Sequence, residues 1–303
     1  MGTSSAFGGQ SGGTPLIPSW LTDNVIPPAV PGGAPPDGQP PDAPPGNAPE
    51  NEVPPSNAPP APPAIPPIPP VADPSRFTAA RNNFSRFARS GGTDRRNLGR
   101  AVSQYIGSAS GGARTAAARM GSARRTSSRL LGFLYNTVAH GASEALRTLN
   151  LGALAGRPIE EIFIGLVDYV CPHGGSVDEG IAREAFIETI TDLAGAGIRD
   201  LDGLTADQIQ AVFELYATNA IEARLCNDIG AKAITLPSNS LDVARAQAQL
   251  HDFIQRGVAD ALTRANVTMA ALTPDRTIEL VGHVYELAFE ILQHMGDTEA
   301  EAT

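Results

Sequence analysis

The chain runs to 303 residues, with 27 prolines, 31 glycines, two cysteines and a net charge of −10. Two cysteines are too few for a disulfide scaffold, and no apolar stretch reaches the roughly 18 residues that span a bilayer, so a soluble protein of the reducing cytoplasm is expected. The charge is divided rather than spread: residues 1–75 carry six acidic and no basic side chains, residues 76–129 twelve arginines against Asp94 alone, and residues 130–303 25 acidic against ten basic side chains. A division this sharp sets up a strong internal field and is the first clue to what the segments contact.

Residues 1–26 read as a flexible leader. After Met1 its start, GTSSAFGGQSGG, is small and polar apart from Phe7, and a Leu16-Ile17-Pro18-Ser19-Trp20 run follows. It does not read as a secretory signal, which needs a basic start and an apolar stretch of roughly 7–15 residues. Nor is it a good myristoylation signal, since Ala6 stands where Ser or Thr is wanted. Removal of Met1 leaves Gly2 with a free α-amine of pKa roughly 7.7–8.0, partly neutral and nucleophilic near pH 7. The bland alternative is an ordinary frayed terminus. Residues 27–74 then hold 20 prolines between Pro27 and Pro70. Proline fixes φ and lacks an amide donor, so neither helix nor central strand is expected there. The segment reads as a disordered, polyproline-II-like linker that reaches up to roughly 130 Å at about 3.1 Å per residue.

From residue 75 onward apolar residues recur at helical spacing. Residues 75–150 form an arginine-rich helical segment. Phe77, Phe84 and Phe87 mark one helix ended by Gly91-Gly92. Leu98, Val102, Tyr105 and Ile106 mark the next, capped by Thr93 or Asp94. A single long helix is expected over about 113–149, burying Leu130, Leu131, Leu134 and Val138. Residues 151–303 form an acidic helical domain. Pro158 opens a helix that Pro172 and Gly174-Gly175 close, with one of the two glycines left-handed. Ser176/Glu179 and Thr205/Gln208 read as capping boxes. A further helix carries Leu241, Leu250, Phe253, Ile254, Val258 and Leu262, and the last carries Leu280, Val284, Leu287, Ile291 and Met295. The whole reads as an all-α, irregular bundle of about seven or eight helices.

Little in this sequence argues for an enzyme. Cys171-Pro172-His173 brings a thiol near an imidazole, but zinc needs three or four ligands, and a nucleophile needs a placed base with its own orienting group. A helix stop and tight turn explains the segment better. Glu160-Glu161 and Asp178-Glu179 sit in first helical turns, where the dipole favours negative charge. No phosphate-cradling glycine motif is present. No cofactor or metal is expected, and no catalytic residue is assigned. The arginine block is the strongest cue from residue chemistry alone. Arg95, Arg96, Arg100, Arg114, Arg119, Arg124 and Arg125, interleaved with aromatics, suit a nucleic-acid surface: charge for phosphate and rings for stacking. Two alternatives stand beside it: docking of these helices on the acidic body, and an acidic partner protein.

The ordered set MGTSSAFGG, LIPSW, RNLGRAVSQYI, GGARTAAARMG, LNLGALAGRP, CPHGGSVDEGIAREAF and NDIGAKAI resembles the QatB family, the small helical component of the bacterial Qat anti-phage defence system. The resemblance covers nearly the whole chain and is weakest in the linker. It implies three partners: an ATPase (QatA), a QueC-like protein (QatC) and a TatD-like hydrolase (QatD). QueC enzymes use ATP to activate a 7-deazaguanine carboxylate, and related defence proteins are linked with attaching such a base to an N-terminal glycine. By that analogy the chain is a protein substrate modified at Gly2. Thr3, Ser4 and Ser5 then keep the tip narrow enough to enter a buried active site, and Leu16, Ile17 and Trp20 anchor it on the partner. The linker would let tip and body work apart.

Overall fold

The computed structural model describes residues 75–171, 175–195, 197–230, 236–265 and 274–302. The leader, the linker and the site residues Gly2, Thr3, Ser4, Ser5, Leu16, Ile17 and Trp20 lie outside the described residues. Among those described there is no strand, and no helix is long and apolar enough to cross a membrane. Ten α-helices follow one another: α1 Thr78–Arg89, α2 Arg95–Gln104, α3 Ala113–Ala118, α4 Gly121–His140, α5 Ala142–Thr148, α6 Ile159–Val170, α7 Val177–Gly195, α8 Ala206–Ile229, α9 Ser240–Ala265 and α10 Pro274–Glu301. A π-helical turn, Tyr105–Ala109, continues α2, and a 3-10 turn, Gly152–Leu154, precedes α6.

Local chemistry accounts for most of these boundaries. The Asp94 carboxylate accepts from the Asn97 amide at 3.0 Å and caps α2. Both capping boxes form. Thr205 Oγ1 accepts from the Gln208 amide while the Gln208 side chain accepts from the Thr205 amide. Ser176 and Glu179 exchange the same pair of bonds at the start of α7. After α6, Gly175 takes a left-handed φ of +74°.

The expected long helix over 113–149 is instead α3, α4 and α5, which raises the count from the expected seven or eight to ten among the described residues. Met120 turns inward, 2% exposed, between α3 and α4. Gly141, at φ +85° and ψ 152°, separates α4 from α5 in a conformation that only glycine adopts freely. Val138 is 54% exposed rather than buried. Thr137, nearly two whole turns beyond Leu130, takes the inward position near the end of α4 and is 3% exposed. Leu241 is also exposed, in the first turn of α9, before that helix reaches the core.

Helices from residues 75–150 and from 151–303 share one apolar core. α10 packs against α2, α3, α4 and α9, and α7, α8 and α9 pack in sequence. Its inner stripe is Val281, Val284, Tyr285, Ala288, Phe289 and Leu292, all at most 1% exposed. Expected stripe members Leu280, Leu287 and Met295 lie at the margin of that core. Phe163 and Phe186 stack with centroids 5.7 Å apart, and Tyr216 meets Phe186 edge-on at 6.2 Å. Each such buried aromatic contributes about 1.5–3 kcal/mol.

Two helix crossings depend on missing side chains. A Cβ on Gly99 of α2 would lie 2.6 Å from the Gly296 carbonyl oxygen, and one on Gly296 of α10 would lie 2.7 Å from the Gly99 carbonyl oxygen. The backbones of α2 and α10 touch there. Gly92, at φ +80°, brings the α1–α2 turn against α9, where a Cβ would meet the Ala246 Cα at 2.8 Å.

Candidate functional site

Arginines of the basic segment meet the acidic body at two kinds of target, helix carbonyl ends and carboxylates. Arg81 Nε donates to the Ile229 carbonyl at 2.6 Å, at the end of α8. Arg96 Nε donates to the Ala300 carbonyl at 3.0 Å, in the last turn of α10. Arg129 Nη1 donates to the Tyr169 carbonyl at 3.4 Å, in the last turn of α6. Terminal carbonyls lack intrahelical partners and carry the negative end of the helix dipole, so a cation there is favoured.

Two further arginines pair with carboxylates of α10. Arg95 meets Glu299 at 2.6 Å, and this hydrogen bond raises the guanidinium pKa further. Arg114 meets Glu286 at 3.0 Å. Arg124 lies over Gly282, whose absent Cβ would stand 2.6 Å from Nη2. Arg125 donates to Ser122 Oγ at 3.0 Å. Arg119 buries its Nη1 without a hydrogen-bond partner among the described residues. Arg100 is half-buried on α2 and makes no hydrogen bond or ion pair among the described residues.

The aromatics interleaved with these arginines do not stack on anything outside the fold. Phe77, Phe84, Phe87 and Tyr105 are 2–5% exposed and belong to the core. Phe77 and Tyr105 stack on each other at 5.6 Å, and Arg76 lies 4.5 Å above the Phe77 ring. The stacking half of the nucleic-acid pattern is therefore spent on packing.

One polar cluster was not singled out by the sequence. Arg224 and Asp228, one turn apart on α8, pair at 3.2 Å, with side chains 14% and 8% exposed. Arg224 also binds Asp178 of α7. The Tyr105 hydroxyl donates to the same Asp228 oxygen at 3.0 Å, and burial raises its pKa strongly. The i,i+4 spacing of Arg224 and Asp228 was the only signal for this cluster in the sequence.

Cys171 is 1% exposed at the end of α6, and burial pushes its thiol pKa up to about 11. It is a neutral thiol near pH 7, unlike an activated nucleophile, whose pKa is lowered. Its sequence neighbour His173 lies outside the described residues. Burial likewise raises the Cys226 thiol. No group of three or more His, Cys, Asp and Glu residues among those described is placed to hold a metal ion.

A family model described as "Qat anti-phage system associated protein QatB" matches residues 111–292, well over half of the chain. No curated protein and no solved structure matches. The matched stretch opens at the Gly111-Gly112 turn before α3 and closes within α10, so it takes in most of the shared core. The chain belongs to the QatB family and has its role in the Qat anti-phage defence system.

Proposed function

We propose that this chain is the non-enzymatic member of a cytoplasmic Qat assembly, and that a QueC-like partner modifies it at Gly2. The observation that carries the reading is the sequence of the tip. Gly2 gives the least hindered amine available once Met1 is removed, and Thr3 to Ser5 add no bulk behind it. Leu16, Ile17 and Trp20 supply an apolar anchor of the kind that dominates protein interfaces. The linker tethers this tip to a body that other components of the system, the ATPase and the TatD-like hydrolase, hold as a scaffold.

The proposed chemistry balances without a redox step. The partner spends ATP to turn a carboxylate of a 7-deazaguanine into its adenylate, releasing pyrophosphate. The neutral Gly2 nitrogen attacks the carboxyl carbon, a C–N bond forms, AMP leaves with the C–O electron pair, and the amine proton passes to water. The amine pKa of roughly 7.7–8.0 leaves a reactive fraction at neutral pH.

Masses of the amino-terminal peptide test this reading, taken from protein expressed alone and with the other components. The expected result is a mass gain equal to the acid less one water, confined to the peptide bearing Gly2 and dependent on the QueC-like partner. Gly2→Pro abolishes both the gain and phage protection. An unmodified Gly2 in every combination, together with full protection by Gly2→Pro, overturns the reading.

A further inference from the structure

The arginines left over after internal pairing converge on one element. α1 and α2 contain six arginines and not one acidic residue. Arg81 is spent on the end of α8, Arg95 on Glu299, and Arg76 lies before α1 against Phe77. Arg86 and Arg89, one turn apart on α1, are exposed, and Arg89 bonds only the Ser85 carbonyl of its own helix. Arg96 and Arg100, one turn apart on α2, engage between them one carbonyl, through the Arg96 Nε. Arg86 and Arg100 make no hydrogen bond or ion pair among the described residues.

The register of the hairpin brings these pairs together. Asn83 Nδ2 of α1 donates to Gln104 Oε1 of α2 at 2.8 Å. The helices run antiparallel, so one turn further along α1 and one turn back along α2 places Arg100 level with Phe87, beside Arg86. Of the acidic groups near the end of α10, Glu299 is engaged by Arg95 and Asp297 by Ser103, and Glu301, next to Ala300, is exposed. Four guanidinium groups thus lie on one hairpin with no carboxylate paired to any of them among the described residues, an arrangement of like charges that an anion would relieve.

The composition of that face selects among anions. No large apolar residue of α1 or α2 is exposed, so the face lacks the buried apolar anchor that centres a protein interface. It exposes no aromatic ring for a base to stack on, which disfavours single strands. Planar, multi-donor guanidinium groups fit phosphate oxygens bidentately. We infer that the outer face of the α1–α2 hairpin, through Arg86, Arg89, Arg96 and Arg100, binds the phosphate backbone of double-stranded nucleic acid without reading its sequence. The net charge of −10 does not forbid this. Distant carboxylates are screened beyond about 10 Å at 0.1 M salt, whereas the arginines meet phosphates directly. This inference is independent of the Gly2 reading and stands or falls apart from it.

Fluorescence anisotropy with the full chain tests it, using a labelled DNA duplex of about 20 base pairs, its single strand and polyglutamate as probes. The duplex should bind most tightly, with a slope of log K against log salt of roughly −3.5, as four phosphate contacts predict. Arg86→Gln combined with Arg100→Gln should weaken duplex binding about tenfold at about 50 mM salt and roughly halve the slope. Arg147→Gln, which removes an equal type of charge from the exposed Glu144 pair on α5, should leave binding within about twofold. Three results each overturn the inference: no duplex binding at about 25 mM salt, a double variant no weaker than Arg147→Gln, or tighter binding of the single strand or of polyglutamate than of the duplex.

Discussion

Asp228 shows how one side chain joins segments of opposite charge. Its carboxylate takes a proton donor from the π-helical turn after α2 and a guanidinium from its own helix, while Arg81 of α1 grips the adjoining Ile229 carbonyl. A second charged pair makes stability depend on pH. His251 Nδ1 of α9 lies 2.9 Å from Glu222 Oε2 of α8, and that hydrogen bond, against partial burial, raises the imidazole pKa, with Asp192 and Asp252 adding to it. A raised folded pKa means that the stabilisation is fully present below the ordinary value of about 6.5 and is lost as pH rises through the folded value. Glu184, Glu188 and Glu214, held above the usual carboxylate range chiefly by burial, act in the same sense at more acidic pH, because ionising them in place is unfavourable. The urea midpoint should therefore rise as pH falls from about 8 to about 6, and His251→Gln should flatten that rise. An unchanged pH profile in His251→Gln would remove the pair as its source.

At the scale of elements, the α2–α10 crossing is set by two glycines at one point of backbone contact. Gly99→Ala should cost about 2–3 kcal/mol, since the new methyl would displace backbone rather than a movable side chain. Gly132→Ala, in exposed mid-α4 with nothing within 4 Å of the added atom, should instead stabilise by about 0.5–1 kcal/mol through helix propensity. Urea denaturation of the two variants reads both signs, and equal effects would refute the close-contact account. Elements were legible in the sequence wherever caps and periodicity agreed, as at Asp94, Ser176 and Thr205. The split of α3 from α4 was not, because nothing local at Arg119 and Met120 forbids a helix; Met120 turns in to join the core. The candidate site was legible only in part. The arginine block was plain, but which arginines stay free depends on carbonyls and carboxylates up to 204 residues away. The leader around Gly2 lies outside the described residues and remains an expectation from its small side chains.

On the scale of the whole helical body, the charge division finds its use in cohesion. α10, from the acidic end, is lined by α2, α3 and α4 from the basic segment. A fragment of residues 151–303 should therefore lose its packing: far-UV circular dichroism would remain helical, while a dye that reports exposed apolar surface would bind strongly and urea unfolding would lose its cooperativity. A sharp, cooperative transition for that fragment would show that the acidic helices form a core of their own. Sequence by itself determined the helical class, the caps, the division of charge and the resemblance to the family, because each is written in residues close together along the chain. Tertiary structure alone decided that the aromatics of the basic segment are core, that α2 and α10 meet backbone to backbone, and that Arg86 and Arg100 are unpaired among the described residues. Those outcomes depend on which distant groups share space, and no local pattern encodes that.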